Sequence, residues 1–241
     1  YFPAVSAKVI RLEITDSSSG AVPALARLEC KSGEEQATPI RHYKAKVRNI
    51  RPDLLPMWLS RLQEYWTVVG VPEENQETLL SETGIVEPYK GSFSVQPMVE
   101  REATLFTWAS VEHEVGLADG YLPMPWVRWY GAGWKLTIDA IMFGDAGHRW
   151  TAARYRYEEQ STTNATHTRL ALAFRPVQLN PAWQHGGFSP IPDAQVGTSA
   201  PGMGWLNISG KPHALFVTRP TSAGVAVLAE GEIGEFLARF F

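Results

Sequence analysis

The chain has 241 residues, of which 44% are hydrophobic and 20% charged, and its formal net charge is −3. That balance fits a globular chain with enough apolar side chains for a sizeable core, and all-β folds of this length commonly form one unit. It carries no basic footprint for nucleic acid and no apolar run long enough to span a bilayer. Cys30, the single cysteine, excludes an internal disulfide and any multi-cysteine metal site.

The chain starts at Tyr1 without a visible signal peptide and stops in the apolar-rich GEFLARFF, which reads as a piece of a longer or processed protein. Residues 7–15, AKVIRLEIT, alternate as a half-buried strand. DSSSGAV follows as a turn, and ALARLEC, 24–30, is a second alternating strand. KSGEEQATP, 31–39, is polar and reads as a linker. Between Tyr43 and Leu62 the pattern is mixed, and Pro52 and Pro56 rule out a long helix.

YWTVVGV, 65–71, is aromatic and β-branched and predicts a strand. PEENQETLLSETG, 72–84, opens on Pro, carries acids in its first turn and closes on Gly84, which predicts one short helix. Beyond Gly84 the chain reads as a succession of strands: GIVEPY, SFSVQPMVE, ATLFTWAS, EHEVGLAD, WVRWY, WKLTIDAIMF, RWTAARYRYEE, HTRLALAFRPVQL, MGWLNIS and HALFVTRP. The breaks between them include DGYLPMP, GAG, GDAGH, QSTTNAT and QHGGFSPIPDAQVGTSAPG. Many short strands with regular turns indicate a sandwich. In WKLTIDAIMF one face collects Trp134, Leu136, Ile138 and Ala140. In RWTAARYRYEE the arginines Arg154 and Arg156 turn one face to water. GEIGEFLARFF puts Ile233, Phe236, Leu237 and Phe240 on one side at helical spacing.

Familiar catalytic signatures are missing. The six histidines show no close ligand-pair spacing, and no nucleophile elbow or phosphate loop is present. Cys30 lies in an apparent strand and reads as a small buried apolar residue. Carboxylates are plentiful, but no spacing pairs two of them as glycoside hydrolysis requires. The expected metal and cofactor complement is none, and no catalytic residue is assigned.

Two polar-aromatic stretches remain. In PMPWVRWYGAGW, Trp126 and Arg128 share one strand face and Val127 and Trp129 the other, so Arg128 can stack on Trp126. In LALAFRPVQLNPAWQHGGFSPI, Arg175 alternates with Val177 and Leu179, which indicates a buried or half-buried guanidinium that needs a partner. Arg175, Gln178, Asn180 and Trp183, with Trp126, Arg128 and Trp129, are the candidate carbohydrate-binding residues, because tryptophan stacks on the apolar faces of sugar rings. The alternative is that Arg175 and Asn180 satisfy backbone groups at a strand end, and the residues favour it somewhat over direct contact.

The run YWTVVGV…ETLLSETGIVE…GSFSVQP…LFTW…LADGYLPMPWVRW…ARYRYEE…LALAFRPVQLNPAWQ…GGFSPI resembles a bacterial family of large proteins labelled "coagulation factor 5/8 type domain protein". These resemble glycoside hydrolases in layout: a discoidin-like (galactose-binding-like) module, a β-supersandwich, then a six-hairpin (α/α)6 toroid. The resemblance covers about residues 40–220. The family's double proline before the tryptophan is Pro181 and Ala182 here, a departure at that turn.

The resemblance implies a mostly β chain with a few short helices, a β-supersandwich of the galactose mutarotase-like or glycosidase N-terminal type. Residues 1–33 would be the C-terminal strand pair of a discoidin-like module and residues 34–241 the supersandwich. The catalytic toroid would be the partner, with carbohydrate as ligand, no nucleic acid and no membrane, and an extracytoplasmic location, periplasmic or secreted, slightly favoured. The expected role is the non-catalytic sandwich portion of a carbohydrate-active enzyme. A free-standing carbohydrate-binding module and a mutarotase-like sugar enzyme are the alternatives.

Overall fold

The structure is a computed structural model that describes residues 9, 11, 13, 52–60, 62–145, 147–160, 167–180, 187–199, 203–218 and 220–224. The expected strand pair of residues 7–30, Trp183 and the helical pattern near the C-terminus lie outside or almost outside these residues. Thirteen strands are described: β1 (Trp66–Val69), β2 (Thr78–Ser81), β3 (Val86–Glu87), β4 (Ser94–Arg101), β5 (Thr104–Phe106), β6 (Glu112–Ala118), β7 (Leu122–Gly131), β8 (Trp134–Asp145), β9 (His148–Glu159), β10 (Thr168–Arg175), β11 (Gln195–Ser199), β12 (Met203–Ile208) and β13 (Lys211–Phe216). Helix among the described residues is limited to short 3-10 turns at Pro52–Leu54, Met57–Ser60 and Trp108–Ser110. The chain is mostly β.

The strands form three antiparallel sheets. The first runs β1-β2-β3-β4-β10 with β5 on β4, the second β6-β7-β8-β9 and the third β11-β12-β13. Alternation explains the second sheet. Val127, Trp129, Trp134, Leu136, Ile138 and Ala140 point inward and are buried, while Trp126, Arg128, Asp139 and Arg154 share the outer face through the register Trp126↔Asp139 and Asp139↔Arg154. The inner row packs against Leu80, Val86 and Val99 of the first sheet. The same face of the first sheet meets the third sheet, where Phe93, Val95, Leu172 and Phe174 pack on Leu206 and Ile208. Burial of each such side chain contributes about 1.5–3 kcal/mol.

The opposite face of the first sheet is covered by irregular chain. Leu54, Leu55 and Leu59 from the 3-10 turns pack on Met98 and Ala173. Hydrogen bonds fasten this cover: Trp108 Nε1 donates to the Leu55 carbonyl (2.8 Å), Thr107 Oγ1 to Asp53 Oδ2 (2.9 Å) and Trp58 Nε1 to the Gln178 carbonyl (2.8 Å).

Some expectations fail for identifiable reasons. Residues 72–84 form no helix: Glu74 Oε1 accepts the N–H groups of Asn75 and Gln76, an acid-capped turn, and Thr78–Ser81 continue as a fully buried strand. Proline, acids and glycine therefore bracket a loop and a strand. The stretch read as a long break after Gln184 contains β11, whose polar sequence QVGTS gives no alternation signal. β7 also begins earlier than expected, at Leu122, with Pro123 and Pro125 inside it. Pro125 sits beside a register shift at Leu117/Ala118 in the strand it faces, the irregular pairing in which a strand proline is tolerated.

Candidate functional site

Three of the residues singled out from sequence converge on the covered face of the first sheet. Arg175, Gln178 and Asn180 are all buried. The register Arg175↔Ser94 and Ala173↔Gln96 sets Arg175 on the same face as Ser94 and Gln96. After β10 the chain is held by a bridge between Val177 and Phe188 and by Gln178 N–H donating to the Gly187 carbonyl (3.2 Å). Gln178 Nε2 donates to the Gly91 carbonyl (3.0 Å).

Asn180 is fixed by the carboxylate of Glu87, which is 0% exposed. Glu87 Oε1 accepts from Asn180 Nδ2 (2.8 Å) and Gly91 N–H (2.8 Å). Its Oε2 accepts from the Leu179 and Asn180 backbone N–H groups (2.6 and 3.0 Å). Burial pushes the Glu87 carboxyl above the ordinary range, and these four donors pull against that shift. Gln178 and Asn180 thus fasten the strand end, and Glu87 is the anchor the sequence did not reveal.

Beside this anchor the face opens. A cleft of about 230 Å³ is lined by Trp66, Val68, Glu77, Leu79, Lys90 and Asn180. The register Trp66↔Ser81 and Val68↔Leu79 places Trp66, Val68 and Leu79 on one face of the β1–β2 pair, as the floor. Trp66 packs against Leu79, Ile85 and Leu179, which hold its ring. Glu77, Lys90 and Asn180 supply the polar groups of the wall. Asn180 commits its Nδ2 to Glu87, which leaves its Oδ1 as an acceptor. Among the described residues neither Glu77 nor Lys90 has an ion-pair partner.

Comparison with protein-family models, curated proteins and solved structures finds no match to this chain. Among the described residues no helix is long and apolar enough to cross a membrane, and no group of three His, Cys, Asp or Glu side chains is placed to hold a metal ion.

The second predicted set divides across its sheet. Trp129 is fully buried and donates its Nε1–H to the Thr83 carbonyl (3.0 Å), so its ring serves packing. Trp126 and Arg128 stand together on the outer face, with the Arg128 guanidinium 3.8 Å from the Trp126 ring centroid. The indole also lies over Gly116, where an added Cβ would collide with it. Its ring is therefore covered by its own sheet and by Arg128. Around it the face is laced with ion pairs: Arg128–Glu114 (3.7 Å), Arg154–Asp139 (3.0 Å) and Lys135–Glu158 (2.7 Å). Farther along, the cross-strand pair Phe143↔Trp150 is bare, 50% and 68% exposed.

At the open end of β1–β2 lies a second buried carboxyl. Glu64 is 7% exposed. Thr83 Oγ1 donates to its Oε1 (2.8 Å), and Thr83 Oγ1 in turn lies 2.8 Å from Ser81 Oγ, which accepts the Ile85 N–H (3.1 Å). Among the described residues its Oε2 is buried without a hydrogen-bond partner. Burial raises this carboxyl to about 7, with hydrogen bonding, chiefly from Thr83, pulling the other way.

Proposed function

We propose that this chain is the non-catalytic β-sandwich portion of a carbohydrate-active protein, of the supersandwich type, and that it binds sugar in the Trp66 cleft. The observation that carries the reading is the composition of that cleft. A half-buried indole forms the floor, while a carboxylate, an ammonium group and an amide oxygen stand on the wall. A pyranose ring has an apolar C–H face and a rim of hydroxyls. The face lies on Trp66, hydroxyl donors go to Glu77 and Asn180 Oδ1, and Lys90 donates to a hydroxyl or ring oxygen. Apolar floors with a few placed polar groups are the common form of small-ligand sites.

The bare Phe143–Trp150 pair favours a complementary role. On a face otherwise covered by ion pairs, it supplies an apolar patch for the helical (α/α)6 domain that the family resemblance implies.

Titration with mono- and oligosaccharides, read by tryptophan fluorescence, tests the cleft. Saturable binding is expected, weakened at least about tenfold, or about 1.4 kcal/mol, in Trp66→Ala and also weakened in Glu77→Gln and Lys90→Ala. The two wall variants alter partly exposed side chains without ion pairs, so a loss of binding with unchanged melting isolates recognition from folding. Saturable binding that all three variants leave intact would move the site elsewhere.

A further inference from the structure

We propose that Glu64 is a proton-operated latch on the β1–β2 edge that floors the cleft: protonated, it seats the edge; ionised, it loosens it. The geometry comes first. The ladder Trp66↔Ser81 continues through Glu82 N–H donating to the Tyr65 carbonyl (2.8 Å), which sets Glu64 opposite Thr83 one step beyond. Glu64 lies two residues before Trp66, just ahead of the strand that supplies Trp66 and Val68 to the cleft floor. Its carboxyl is buried close to the Trp58 backbone of the Met57–Ser60 turn, which opposes part of the effect of burial.

Among the described residues, the groups around the carboxyl are poor at holding a charge. From β2 and its turn come the hydroxyls of Ser81 and Thr83, and the carboxylate of Glu82, whose like charge opposes ionisation. The Met57–Ser60 turn, sequence MWLS, contributes no charged side chain. From β7 the neutral Trp129 indole bonds the Thr83 carbonyl. A buried carboxylate with an unpartnered oxygen and a neighbouring anion is costly, whereas the neutral acid is not. The shift to about 7 agrees with this arrangement.

The sign follows from proton linkage. The seated edge holds a proton on Glu64 up to about pH 7, while an opened edge releases it at the ordinary value of 4.5. Opening therefore becomes roughly tenfold more frequent per pH unit between those limits and levels off above them. A mildly acidic medium seats the floor and a neutral one frees it. The coupling to ligand rests on the carbohydrate reading; the latch itself does not.

The test is hydrogen exchange of the β1 amides between pH 5 and 8, corrected for the intrinsic rate, in the wild type and in Glu64→Gln. Glutamine copies the neutral acid in shape, so the variant is expected to fold and to stay seated. Protection of β1 should fall steeply toward pH 7 in the wild type and much less in Glu64→Gln, where Glu87 remains as a second buried acid. Equal slopes in both proteins overturn the latch, whatever sugar does. Sugar affinity measured over the same range should follow β1 protection. A pH-dependent β1 in a protein that binds none of the sugars upholds the latch and removes the carbohydrate reading alone.

Discussion

Burial separates tryptophans that look alike in sequence. Trp129 and Trp150 both lie in the second sheet, yet one is 0% and the other 68% exposed. Trp129→Ala should cost about 3–5 kcal/mol in urea unfolding, from lost packing and a cavity among Leu80, Val127 and Ile138. Trp150→Ala should stay within about 0.5 kcal/mol, as surface changes generally do. Asn180→Ala removes one of the four donors to the buried Glu87 and should cost about 2 kcal/mol, because the lost hydrogen bond is charge-assisted. Equal stability of that variant and the wild type would show that the anchor does not depend on the amide. The sequence made part of this legible. Alternation placed Arg175 among apolar side chains, and it paired Arg128 with Trp126. It did not reveal Glu87, because residues about ninety positions apart meet only through sheet register. Trp66, Glu77 and Lys90 escaped for the same reason: the cleft exists only once β1, β2 and the chain after β10 are adjacent.

Strands with one wet face were readable because their side chains alternate, as β7, β8 and β9 do. Strands buried on both faces, such as Thr78–Ser81, carry no alternation, and the flanking Pro72 and Gly84 then read as helix ends. Turns show a different conflict. The β4–β5 hairpin turns through Glu102 and Ala103, both at positive φ (50° and 61°), a two-residue loop that favours Asn-Gly. Each L-residue held in the left-handed region costs roughly 1–2 kcal/mol. Glycine at 103 relieves that strain but gains freedom in the unfolded chain, which returns about 0.4–1 kcal/mol. Ala103→Gly should therefore stabilise the protein by up to about 1 kcal/mol, seen as a higher urea midpoint at unchanged slope. Gly84 presents the opposite case, at φ 83° with a core side chain, Ile138, where its Cβ would stand. Gly84→Ala combines left-handed strain with overpacking and should cost about 2–4 kcal/mol.

The whole molecule sums carboxylates of opposite tendency, and that sum sets its pH optimum. Glu74 and Glu158 are held below the ordinary carboxylate value, Glu74 chiefly by the Asn75 N–H with Gly147 and Arg149 assisting, Glu158 chiefly by Lys135. Such groups contribute stability above their unfolded value, and it is lost as pH falls through their folded value. Glu64 and Glu87 are raised by burial. Their contribution is complete below the unfolded value and is lost as pH rises through the folded one. For Glu64 the interval from 4.5 to about 7 corresponds to about 3 kcal/mol. The contribution of Glu74 and Glu158 changes only in acid, below the ordinary carboxylate value, so the buried acids set the slope on the neutral side. Stability should therefore peak in mildly acidic solution, near the lower end of that interval, and decline toward neutrality. Glu64→Gln should flatten the decline and carry the maximum toward neutral pH, since glutamine has no proton to lose. Urea midpoints taken at half-unit steps from pH 4 to 8 decide it. A wild-type profile that rises toward pH 7 would mean that Glu64 is ionised in the folded protein and that its Oε2 has a partner in solution.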